Sequence, residues 1–188
     1  YRFHELIELL VTSNAYQQEA NFNAEAGSPN GFFNAMTPRE LDGRVLVDAI
    51  RKVTGQAGFL NQDLGDSAIA SWDHRTESFA LDVLGRCERD EPCADSGSSG
   101  GGLSRSLFLF NDPEFQTALD AAASTRINAS NWSAKSTLND LYWKAYSRPP
   151  NTGELEYWLN NLEGSHSMED LLSDMMWAVL NSREFIWN

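Results

Sequence analysis

LYWKAYSRPPNTGELEYWLNNLEGSHSMEDLLSDMMWAVLNSREFIWN, residues 141–188, alternates apolar stripes at helical spacing with local start and stop signals. Leu138, Leu141, Tyr142 and Ala145 recur at three- and four-residue steps, the period of one helix face. The run Arg148-Pro149-Pro150 cannot continue that helix, because proline lacks the amide donor and its ring collides with the preceding turn. Asn151 or Thr152 then caps a second helix with Leu155, Trp158, Leu159 and Leu162 inward, ended by Gly164. Ser167 caps a third, with Leu171, Leu172, Met175, Ala178 and Val179 inward. Such short connections predict helices packed as antiparallel neighbours. Ser182 is placed to restart a turn. Phe185 and Trp187 follow it, and their apolar area predicts that they fold back on the bundle. The alternative, a patch turned toward a partner, makes the same two residues interaction candidates.

Working upstream, "NDPEF" sets Asp112 as an N-cap and Pro113 in the first turn of a helix whose inner face is Phe115, Ala118, Leu119 and Ala122. "RSLFLF" before it reads as a short helix rather than a strand. Residues 76–84, "TESFALDVL", predict another with Phe79 and Val83 inward. "TPRE" gives Thr37 as N-cap, Pro38 at the first helical position and Glu40 closing a capping box. Leu41, Val45, Ala49 and Val53 would face inward from that helix, and Gly55 would end it. Near the start, Phe3, Leu6, Ile7, Leu10 and Val11 form one stripe. Residues 15–34 lose periodicity and read as a loop, and residues 56–74 fit no single template. No strand pattern is convincing. The expected fold is all-α, an irregular bundle of about six to eight helices in a single domain over 1–188, with a Gly/Ser-rich acidic loop inserted at 85–104.

The chain has 188 residues and a formal net charge of −13. Its Lys and Arg are scattered, which argues against nucleic acid as a partner, since phosphate binding needs basic clusters. No apolar run approaches the ~20 residues that span a bilayer. No signal peptide opens the chain, and its start at Tyr1 inside a helical pattern predicts a fragment of a longer protein.

Cys87 and Cys93 enclose five residues. That spacing matches neither haem attachment nor a C-x-x-C redox site, and no further ligand pair completes a zinc site. A local disulfide in an oxidising compartment is the first reading and free thiols the second. Asp90, Glu91 and Asp95 lie around the pair and are interaction candidates. "DLGD" (Asp63 to Asp66) and "ERDEPCAD" also offer oxygens to calcium, without the spacing of a calcium loop. No other cofactor is expected in this chain. "GSSGG", Gly97 to Gly101, formally matches a nucleophile elbow but has no strand before it. His4, His74 and His166 share no helix face. No catalytic or metal-ligating residue is assigned.

In order, the stretches "RFHELIELLVTSNAYQQ", "ELDGRVLVDAIRKVTG", "GRCERDEPC", "SRSLFLFND", "LYWKAYSRPPNTGELEYWLNNL" and "EDLLSDMMWAVLNSREFIWN" resemble the planctomycete-type domain of unknown function 1553. Proteins of that family carry a segment like LYLAALGRPPTAEEL and end near DLLWALLNSKEFLFNH. Here the C-x5-C spacing replaces the family's usual cysteine-rich stretch, the Gly/Ser tract is an expansion, and an upstream Arg- and Trp-containing region is missing. The resemblance implies an exported bacterial protein, periplasmic or extracellular, with a companion domain and sometimes a cytochrome c-like domain elsewhere in the polypeptide. It brings no established activity, so no catalytic residue is carried over.

The expected function is therefore a non-catalytic extracytoplasmic binding or scaffold module, a subunit of a larger, cytochrome-linked assembly. Its partner would be another protein or other domains of the same polypeptide. The alternative is an accessory or catalytic module in polysaccharide processing, with Trp72, Trp132 and Trp143 stacking on sugar rings beside Asp73.

Overall fold

The computed structural model describes residues 2–17, 38–56, 67–71, 78–85, 102–164 and 167–187. They belong to two units, Tyr1–Arg39 with Asn188, and Glu40–Trp187. Among the described residues the structure is all-α, with nine helices and no strand.

The first unit carries α1, Phe3–Val11. Its last carbonyls are closed locally: Thr12 donates both its amide and its hydroxyl to the Glu8 carbonyl, and the Gln17 side chain donates to the Val11 carbonyl. This satisfies acceptors that a helix end leaves unpaired. The stripe foreseen on this helix exists, but none of its residues is buried.

The second unit contains α2 (Gly43–Thr54), α3 (Phe79–Val83), α4 (Gly102–Asn111), α5 (Pro113–Ile127), α6 (Ala134–Tyr146), α7 (Thr152–Gly164), α8 (Met168–Leu180) and α9 (Arg183–Ile186). The most extensive packing joins α5 to α8. Phe115, Leu119, Ala122 and Ala123 meet a face of α8 that buries Leu172, Met175, Met176, Val179 and Leu180. The two small alanines let the helix axes approach closely. Leu138, Leu141 and Tyr142 of α6 and Leu46, Val47, Ile50 and Val53 of α2 complete the core. As the short connections predict, α6, α7 and α8 are mutual neighbours.

The caps foreseen for α5 and for the last helices are present. Asp112 accepts the Phe115 amide, Ser167 that of Asp170, and Ser182 that of Phe185. Asn151 and Glu154 form a reciprocal capping box, at 2.7 and 2.8 Å.

The start of α2 corrects the expectation. Thr37 lies outside the described residues, and Pro38–Asp42 are not helical. Asp42 is the N-cap, its carboxylate accepting the Arg44 amide at 2.9 Å. Tertiary partners hold the upstream segment extended. Glu40 forms an isolated antiparallel bridge with Trp187, the Leu41 amide donates to the Ile186 carbonyl, and the Glu40 carboxylate meets Arg105 of α4. Gly55 does end the helix, at φ +74°, where a Cβ would be strained.

The buried face of α2 is also rotated from the expected row, since Val45 is exposed while Leu46, Val47 and Ile50 are buried. A row of strict four-residue steps slips around a helix of 3.6 residues per turn, so its members cannot all centre on one contact. In α3, Phe79 is 75% exposed, and Ala80, Leu81 and Leu84 are buried. Residues 102–104, placed in the loop by sequence, are the first residues of α4.

Candidate functional site

Three arginines organise the second unit. Arg148, the residue before the two prolines, extends a forked guanidinium between α7 and α9. It donates two bonds to Glu154, both 2.9 Å, and two to Glu184, at 2.7 and 2.9 Å. Its carbon lies 5.6 Å from the centroid of Tyr142 and 5.3 Å from that of Tyr146, within cation–π range. Tyr146 is itself hydrogen-bonded to the Val179 carbonyl and the Ser182 hydroxyl, and the Trp158 indole donates to the Tyr142 hydroxyl. The hydrogen bonds to Glu154 and Glu184 raise the Arg148 pKa and, from the other side, lower that of Glu154. Burial pushes the Tyr146 phenol up to about 12.

Arg126 reaches from the end of α5 to the end of α2, donating to the carbonyls of Val53 and Thr54 and touching the Met176 sulfur. It caps a helix C-terminus with a cation, the favourable sign for the helix dipole. Arg105 is buried, and burial lowers its pKa. It donates to the Leu41 carbonyl at 2.8 Å and to Glu40, while its Nε has no partner among the described residues. Asp48 plays a similar structural role, accepting from the Ser67 hydroxyl and the amides of Ala68 and Ile69. None of these networks was assigned from sequence. Their partners lie far apart along the chain, and only the proline pair after Arg148 hints at a fixed corner.

Two further features face outward. On α4, Leu103, Leu107 and Phe110 follow helical steps and are 76%, 52% and 50% exposed. Phe110 places one side of its ring against Trp177, with centroids 5.1 Å apart. Phe79, on neighbouring α3, is exposed too. The second feature is a cleft of about 290 Å³ where α5 turns into α6, lined by Arg126, Asn131, Trp132, Ser136, Thr137 and Asp140 among others.

Of the residues singled out from sequence, Cys87, Cys93, Asp90, Glu91 and Asp95 lie outside the described residues, as do Trp72, Asp73, His74, His166, the Gly97–Gly101 motif and the Asp63–Asp66 stretch. Phe185 is buried in the core. Trp187 is half-buried, with Arg183 5.5 Å from its ring centroid. Trp132 lines the cleft, and Trp143 stands exposed on α6. Among the described residues no group of acids, histidines or cysteines is arranged to hold a metal, and no helix is long and apolar enough to cross a membrane.

The family model described as "Protein of unknown function (DUF1553)" matches residues 1–162. This chain belongs to the DUF1553 family. The matched span of the DUF1553 chain includes the Arg148–Glu154 pair and stops before Glu184. No curated protein and no solved structure matches the chain.

Proposed function

We propose that this DUF1553 chain is a non-catalytic binding and scaffold module of an extracytoplasmic bacterial assembly. In this reading its outward α4 face is covered by a protein surface, either a separate subunit or another domain of the same polypeptide. The observation that carries the reading is the row Leu103, Leu107 and Phe110, large apolar side chains exposed on a helix whose other face is buried through Arg105, Phe108 and Leu109. Large apolar groups gathered in this way mark interaction sites. The charged groups described above support the scaffold part, because their hydrogen bonds run between helices of the fold. In this reading a Cys87–Cys93 disulfide would pin the acidic loop, and Asp90, Glu91 and Asp95 would be polar contacts for the partner. The exported setting that the family resemblance implies suits both.

The test is co-purification of the protein from its native host, wild type beside Leu107→Glu. The reading expects a partner at fixed stoichiometry with the wild type and its loss with the variant, while circular dichroism stays unchanged. A partner retained by a folded Leu107→Glu protein, or a wild-type protein that purifies without one, contradicts it.

A further inference from the structure

We infer that the cleft between α5 and α6 is a binding site for one neutral polyhydroxylated ring, such as a sugar residue. This is independent of the partner surface on α4. The cleft measures about 290 Å³, at the lower end for small-molecule sites, so its ligand is small. Its walls combine the indole of Trp132 with short polar side chains. An aromatic face packs on the C–H groups of a sugar ring, and hydroxyls and amides serve the ring's hydroxyls as both donors and acceptors.

Among the described residues the hydroxyls in the cleft are unengaged. Elsewhere Thr54, Ser106, Thr117 and Thr125 bond back to the carbonyl four residues earlier. Ser136 and Thr137 make no such bond among the described residues, and the Ser133 hydroxyl, also at the cleft, makes no capping bond to α6. The Trp132 indole nitrogen is buried without a hydrogen-bond partner among the described residues, so it is the ring of Trp132, not this donor, that the cleft offers to a ligand.

Charge decides between an ionic and a neutral ligand. The two charged groups of the cleft already have partners: Arg126 holds the α2 carbonyls, and Asp140 is 2.8 Å from Lys144. Among the described residues the other oxygen of the Asp140 carboxylate has no partner, which leaves it for a hydroxyl. A free anion would face that carboxylate, and a cation would have to displace Lys144.

The inference is tested by NMR titration of the ¹⁵N-labelled chain with methyl α-glucoside, methyl β-galactoside and methyl β-xyloside, with an oligosaccharide of each sugar, and with inorganic phosphate. The expected result is a saturable shift of the Trp132 indole signal and of amides 131–140 with at least one glycoside. Binding about tenfold weaker is expected in Asp140→Asn and in Ser136→Ala, the size of one lost hydrogen bond. Tighter binding of the oligosaccharide would assign the site to a polysaccharide chain, and equal binding to free sugars. Silence of these signals with every glycoside and oligosaccharide, or a response to phosphate alone, overturns the inference.

Discussion

Arg148 and Glu184 face each other across a double hydrogen bond, Nε to Oε1 at 2.7 Å and Nη2 to Oε2 at 2.9 Å, between the end of α6 and the one-turn α9. Only a planar fork makes this contact and also holds Glu154. Arg148→Lys should therefore lose most of what Arg148→Ala loses. The pair is partly exposed, at 36% and 43%, so the Arg148→Ala cost is set at about 2 kcal/mol, after discounting for solvent. Urea denaturation of both variants checks this, and a lysine variant as stable as wild type would refute the geometric argument.

Acid should weaken the same corner. Arg148 holds the Glu154 carboxyl below its ordinary value of 4.5. The stabilisation is thus complete above that value and is lost as pH falls through the lower folded value. Stability measured from pH 6 down to 2 should fall less steeply in Glu154→Gln than in wild type.

Alkali should act through Tyr146, whose phenol rises from 10.0 to about 12 on burial. A raised folded value means that stability is full below the unfolded value and declines as pH climbs between the two. Tyr146→Phe should remove this part of the alkaline slope, read by denaturation at stepped pH, with the phenolate absorbance locating the titration.

The orientation of α3 gives a contrast within three residues. Leu81→Ala should cost about 3 kcal/mol, as for a buried leucine. Phe79→Ser should stay within about 0.5 kcal/mol, as for an exposed position. A larger loss in Phe79→Ser than in Leu81→Ala would mean that the helix sits the other way round.

The sequence discloses those parts of this fold whose cause is local. Asp112 with Pro113, Ser167, Ser182 and Gly55 act on their own helix ends, and each is found where the pattern puts it. The start of α2 departs from the local pattern because its competitors are distant: Arg105, Ile186 and Trp187 hold residues 40–41 out of the helix that "TPRE" suggests. Five residues in α3 carry too little periodicity to fix a face, and the single four-residue step from Phe79 to Val83 points Phe79 inward where the structure exposes it. At the cleft, the carboxylate that shares the walls with Trp132 among the described residues is Asp140, eight positions on along the chain, while Asp73 lies outside those residues. Adjacency of that kind depends on how α5 turns into α6, which no spacing rule states.

The most direct test of the proposed scaffold role is amide hydrogen exchange across residues 102–111, measured on the isolated chain and on the same chain within its native assembly. The account predicts slower exchange of this helix in the assembly, with α5 and α8 unchanged. Identical exchange of residues 102–111 in both samples would contradict it.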